Sequence, residues 1–123
     1  MKFTHKIIIL YLICLALAFI MNGCHASEVW KITAYCSCSK CCGKADGITA
    51  SGKVAEKGIC ALNWLPFGAL VRIEGLGTFK VMDRGARSLF GSRTNHIKHI
   101  DIWFPTHAEA RKFGVQYKNV EVL

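Results

Sequence analysis

The chain has 123 residues, 52% of them hydrophobic, with 16 Lys and Arg against 8 Asp and Glu and seven cysteines. That length is too short for two hydrophobic cores, so one small domain is expected, one that leans on crosslinks or dense packing for stability. The formal charge of +8 favours an anionic partner. Nucleic acid does not fit that role, because there is no basic run with interleaved aromatics, no recognition-helix pattern and no four-ligand zinc finger.

The first 24 residues pair a basic head (Lys2, Lys6) with an apolar run from Ile7 to Ile20. This is the pattern of an export signal, and fourteen residues rise only about 21 Å as a helix against a hydrocarbon thickness of roughly 30 Å. Two cut sites compete. Met21-Asn22-Gly23-Cys24 is similar to a bacterial lipobox and makes Cys24 a lipidation candidate, whereas Cys24-His25-Ala26 offers the small residue of an ordinary signal peptidase site. Both place the remainder in the cell envelope or outside it, anchored or free. Without Lys2 and Lys6 that remainder keeps 14 basic against 8 acidic residues, and the abundant anionic partner there is cell-wall polymer.

Residues 25–32 read as a linker and the start of the first strand. Val29 to Tyr35 alternates with the period of two of a half-buried strand. Cys36, Cys38, Cys41 and Cys42 follow, with Cys60 further on. In an oxidising compartment these five read first as disulfide partners that staple a loop, with zinc binding by the same cysteines as the alternative. Cys41 and Cys42 are adjacent, with Cα atoms about 3.8 Å apart, so each reaches elsewhere if bonded.

Gly43, Gly47 and Gly52 break up the next stretch, and Ile59 to Leu62 is a short apolar segment. Leu65-Pro-Phe-Gly68 turns into a strand over 69–74, which Gly75-Leu-Gly77 returns as a hairpin through Thr78 to Met82. Residues 86–98 read as a loop with little to bury, and His99 to Phe104 as the next strand. Thr106 and Glu109 are spaced as a capping box for a short helix stopped by Gly114, and residues 115–123 close the chain as a strand. Five or six short strands and one small helix imply a closed or nearly closed barrel, since so few residues cannot cover both faces of an open sheet.

Of three aspartates, Asp46, Asp83 and Asp101, the last two stand out. Asp83 ends a strand before a glycine-containing turn. Asp101 interrupts an apolar strand, opposite Ile100 and Ile102, where it must face solvent, line a groove or be held by partners. A partly dehydrated Asp83 with Asp101 beside it would suit glycan cleavage by an acid. Serine and cysteine hydrolysis lack a motif, and His25, His96, His99 and His107 read as loop or surface residues.

Thr33-Ala-Tyr35, Thr49-Ala-Ser-Gly52, Ile59-Cys-Ala-Leu-Asn63, Leu65-Pro-Phe-Gly68, Val81-Met-Asp-Arg-Gly85, Ile100-Asp-Ile-Trp-Phe104, His107-Ala-Glu-Ala110 and Phe113-Gly114 occur in that order. Together they resemble the 3D domain, named for three aspartates, over residues 33–123. The resemblance implies a mainly β fold, a six-stranded double-psi β-barrel with one short helix, related to the catalytic domain of membrane-bound lytic transglycosylase A and more distantly to rare lipoprotein A and the expansins. It implies Asp83 as catalytic acid/base supported by Asp101, with Thr33 and Tyr35 near the substrate groove and no metal or organic cofactor. The third family aspartate falls at Asn63, which keeps the shape but not the charge. Asn63, Arg84, Arg87 and Arg93 are candidate substrate contacts, the arginines for lactyl or peptide carboxylates. The expected activity is non-hydrolytic cleavage of peptidoglycan between N-acetylmuramic acid and N-acetylglucosamine, leaving a 1,6-anhydro end. A wall-binding or wall-loosening barrel without bond cleavage is the alternative.

Overall fold

The computed structural model describes residues 2–21 and 27–123. Helix α1 (Lys2–Met21) contains the apolar run from Ile7 to Ile20. No helix among the described residues is long and apolar enough to cross a membrane. The lipidation candidate Cys24, His25 and the two cut sites between Asn22 and Ala26 lie outside the described residues.

The rest is mainly strand: β1 (Glu28–Tyr35), β2 (Ile59–Ala61), β3 (Leu70–Ile73), β4 (Gly77–Asp83), β5 (His99–Trp103) and β6 (Gln116–Val122). They close into a six-stranded barrel in the order β1-β5-β2-β4-β3-β6. The barrel is mixed: β1 with β5 and β2 with β4 are parallel, and the other four pairings are antiparallel. Closure removes the exposed edges that a sheet this small would otherwise present. Three short helices accompany it: α2 (Ser39–Cys42), α3 (Arg87–Phe90) and α4 (His107–Phe113).

Alternation along the strands fills the barrel. Trp30 and Ile32 of β1, Cys60 of β2, Val71 and Ile73 of β3, Val81 of β4, Ile100 and Ile102 of β5 and Val120 of β6 form one core with Leu62. The opposite faces of β1, β2 and β5 carry Thr33, Tyr35, Ala61, His99 and Asp101, which line a groove together with Asp83 at the end of β4. The β3–β4 hairpin forms as expected, with Gly75 and Gly77 at φ +75° and +102°, conformations open to glycine at little cost.

The N-cap at α4 is also present, with the Glu109 carboxylate on the Thr106 hydroxyl in place of the Thr106 amide. Thr106 Oγ1 accepts from the Glu109 amide at 3.2 Å and lies 2.9 Å from the Glu109 carboxylate, while Gly114 ends the helix at φ +65°. Thr106→Ala is expected to cost about 1 kcal/mol and to lower the thermal midpoint by several degrees in a calorimetric scan.

The stretch 86–98 differs from expectation. It contains α3, and Phe90 is buried, stacked on His99 with ring centroids 4.2 Å apart. A Cβ on Gly85 would lie 2.2 Å from the Phe90 ring, so this glycine is what admits the ring. A single aromatic side chain anchors a segment whose composition otherwise reads as solvated loop.

Candidate active site

Ala61 is the centre of the site. In the sheet it pairs on one side with Asp101 of β5 and on the other with Asp83 of β4. At about 4.8 Å between neighbouring strands, the two aspartate Cα atoms stand roughly 10 Å apart, with only a methyl group between them. Simple alternation would not put both on one face. Cys60 pairs with Val81 inside the barrel, and an unbroken ladder would bring Met82 opposite Ala61. A register shift between Cys60 and Ala61 brings Asp83 there instead, so the bulge turns Asp83 outward to the face that carries Asp101.

Asp83 is surrounded by donors. Tyr35 Oη donates to Oδ2 at 2.6 Å, and the amides of Ala50 and Arg84 donate to Oδ1 at 2.8 and 2.9 Å. The Ala50 amide is delivered by the Thr49-Ala-Ser-Gly52 segment. Thr49 is buried and its hydroxyl donates to the Lys53 carbonyl, while the Ser51 amide bonds the Met82 carbonyl. Burial, reinforced by the Asp83 hydrogen bond, pushes the Tyr35 phenol well above its ordinary range, so Tyr35 remains a donor.

Asp101 is in a drier place. Burial raises its carboxyl from 3.8 to about 6, against the Thr33 hydrogen bond and with help from the Asp83 charge. Thr33 Oγ1 lies 2.9 Å from Asp101 Oδ1 and 2.8 Å from His99 Nε2. His99 Nδ1 is 3.1 Å from the Leu89 carbonyl, which only accepts, so this partner assigns the ring proton to Nδ1. Burial lowers the His99 pKa, favouring the neutral ring, whose Nε2 then accepts. Thr33 has one proton and two acceptors while Asp101 is ionised. Protonation of Asp101 resolves this, because it then donates to Thr33 and Thr33 donates to His99.

The sign for stability follows. The folded chain binds more protons than the unfolded one between pH 3.8 and about 6, so stability falls as pH rises through that window. The loss at neutral pH is about 3 kcal/mol for a carboxyl shifted this far. Asp101→Asn is therefore expected to raise the thermal midpoint at pH 7.5 by on the order of 10 °C and to leave it nearly unchanged at pH 4. Equal shifts at both pH values in thermal melts would contradict the assignment.

Both aspartates open onto a groove of about 670 Å³, whose lining includes Thr33, Tyr35, Ala61 and His99. Cys41 and Cys42, the segment 48–50, residues 84–86 and Leu89 and Phe90 also line it. No protein-family model matches the chain, and no curated protein matches it either. The site therefore stands on its own geometry.

Arg84, Arg87 and Arg93 line a second opening of about 530 Å³ next to the groove. Arg84 is already committed to the barrel: Nη1 donates to the Leu62 carbonyl at 2.6 Å, and the guanidinium lies 3.9 Å from the centre of the Phe67 ring. Asn63, read from sequence as a substrate contact, is bound to backbone. Nδ2 donates to the Gly85 and Gly91 carbonyls, both at 2.9 Å, and Oδ1 accepts from the Gly85 amide at 2.9 Å. It braces the loop that carries α3.

The cysteines do not pair. Cys36, Cys38, Cys41, Cys42 and Cys60 are all free thiols, so the expected disulfide staple is not formed among the described residues. Cys60 lies in the barrel core and is fully buried. Cys36, Cys38 and Cys41 converge instead on His107, the first residue of α4. Cys42 turns aside, its thiol donating to the Cys36 carbonyl at 3.2 Å. Two histidines read as surface residues thus have defined tasks: His99 beneath the groove and His107 against the thiols. His96 does lie at the surface, stacked on Trp64 at 4.4 Å.

Proposed function

We propose that this barrel cleaves the glycan strands of peptidoglycan as a lytic transglycosylase, as the resemblance to the 3D domain implies. The observation that carries the proposal is the Asp83–Ala61–Asp101 arrangement, two carboxyl groups in different environments flanking a small residue on the floor of one groove. Two carboxyls in different environments can divide acid and base work between them. The resemblance gives acid and base work to Asp83 alone; our reading divides it, and Asp101, held neutral to about pH 6, is the acid. It protonates the glycosidic oxygen as the bond to the anomeric carbon of N-acetylmuramic acid breaks. Asp83, whose protein contacts are all donors, is the base, taking the proton from the C6 hydroxyl as that oxygen closes the 1,6-anhydro ring. One proton is given and one received, so the pair is reset by moving a proton from Asp83 back to Asp101. The nucleophile belongs to the substrate, and the chemistry asks for neither a metal nor a cofactor.

The basic opening at Arg87 and Arg93 beside the groove supports a substrate carrying carboxylates. The test is product analysis by mass spectrometry after digestion of purified sacculi, with peptide stems intact and removed. Anhydro ends are expected with at least one of the two. Reducing ends would identify a hydrolase, and binding without new ends would identify a wall-binding barrel; either result rejects the proposal.

A further inference from the structure

The four side chains gathered at the open end of β1 have a geometry of their own. Cys36 Sγ is 3.0 Å from Cys38 Sγ and 3.6 Å from Cys41 Sγ, while His107 Nδ1 lies 3.7, 3.5 and 3.4 Å from the sulfurs of Cys36, Cys38 and Cys41. All four ligand atoms fall within 4.8 Å of one another. A tetrahedral zinc ion with Zn–S of about 2.3 Å and Zn–N of about 2.0 Å requires edges of about 3.8 Å between sulfurs and about 3.6 Å from sulfur to nitrogen. The three sulfur–nitrogen edges and the Cys36–Cys41 edge lie within a few tenths of an ångström of these values, while the Cys36–Cys38 edge, at 3.0 Å, has to open on binding.

We propose that Cys36, Cys38, Cys41 and His107 bind a structural zinc ion. The local chain is built to present these ligands. The amides of Cys41 and Cys42 both bond the Cys38 carbonyl, so the one-turn helix α2 brings Cys41 back toward Cys36 and Cys38. Gly43 ends that turn at φ +70°. On the other side, Trp103 Nε1 donates to Ser37 Oγ at 2.8 Å, and the Phe104 amide bonds the Tyr35 carbonyl at 2.8 Å. These bonds fix the cysteine loop against the strand that leads into α4 and His107. Three thiolates and an imidazole are a soft donor set that suits zinc over magnesium or calcium, and binding releases the thiol protons.

Four protein ligands leave no open coordination position, so the ion is structural. It would tie the end of β1 to the head of α4, immediately after Tyr35 and beside the groove that Cys41 and Cys42 line. Cys42 and the core thiol Cys60 are excluded from the set by their own contacts and burial.

The test uses the full chain purified in detergent under reducing conditions, with metal content read by mass spectrometry of the elements. One zinc ion per chain is expected, and cobalt(II) in its place should give thiolate charge-transfer absorption and the intense visible bands of a tetrahedral site. Cys38→Ser should weaken binding by more than the roughly 10–100-fold carried by outer-shell partners. His107→Cys should keep the ion with stronger charge-transfer absorption, a readout that survives if other variants fold poorly. Cys42→Ser and Cys14→Ser should bind as wild type. Wild-type protein that takes up neither zinc nor cobalt, a disulfide within the cluster of the protein isolated without reductant, or equal loss of metal in Cys42→Ser would overturn the site. None of these readouts depends on glycan cleavage.

Discussion

Asp83→Asn is expected, under the proposed transglycosylase reaction, to lower the rate of anhydro-end formation by about 1,000-fold, within the range carried by a positioned acid or base and equivalent to about 4 kcal/mol of transition-state stabilisation. The substitution isolates the chemistry because the hydrogen bonds can be kept. Both amide donors, from Ala50 and Arg84, reach Oδ1, which Asn retains. Tyr35 meets Oδ2, and a phenol can turn to accept from the Asn amide as readily as it donates to a carboxylate. The thermal midpoint should therefore stay within a few degrees of wild type while activity is lost. Tyr35→Phe removes one donor and leaves the carboxylate in place, so its loss should be smaller. A folded Asp83→Asn protein that releases anhydro ends at the wild-type rate would remove Asp83 from the reaction.

Much of the barrel was legible in the chain because its signals are local. The alternation of β1 and β5, the Gly75-Leu-Gly77 hairpin and the Thr106 N-cap all act over a few residues, and all appear where expected. β2 was harder, being three residues, Ile59 to Ala61, all buried, with no alternation to betray a strand. The parallel pairings of β1 with β5 and β2 with β4 join segments far apart in the chain, and no local pattern encodes such a partnership. α3 has little local signal, because its single buried anchor, Phe90, follows an exposed Leu89 in a segment otherwise rich in polar residues and glycine.

The site divides in the same way. Asp101 was readable as a carboxylate in an apolar strand, and it does line the groove. The facing of Asp83 was not readable, because parity along β4 counted from Val81 points it inward and only the bulge beside Ala61 turns it out. His99 and His107 were passed over for a different reason. Each finds its partner many residues away, Thr33 for one and the cysteine loop for the other, and a lone histidine in a sequence carries no sign of that. His107 was detectable only by asking which residue could complete three clustered thiols.

Asn63→Asp, the change that would supply a third aspartate under the proposed reading, is expected to destabilise the fold by about 3 kcal/mol or more at neutral pH, from two partly buried carbonyls left without donors. Both hydrogens of the Asn63 amide are used, one on the Gly85 carbonyl and one on the Gly91 carbonyl. An ionised carboxylate has no hydrogen to offer and would set a negative charge against both oxygens. Repulsion of that kind raises the folded pKa of the new carboxyl above its unfolded value, so the penalty is greatest at high pH and shrinks as pH falls below it, where the protonated acid can donate one bond. Urea unfolding at pH 7.5 and pH 4 should therefore show a large deficit at the first and a smaller one at the second. The loop from Gly85 to Gly91 should loosen with it, because Gly91 is held tightly there: a Cβ on it would lie 2.1 Å from the Asn95 carbonyl oxygen. If Asn63→Asp proved as stable as wild type and more active, position 63 would belong to the catalytic machinery; if it proved unstable, Asn63 is the residue this loop requires.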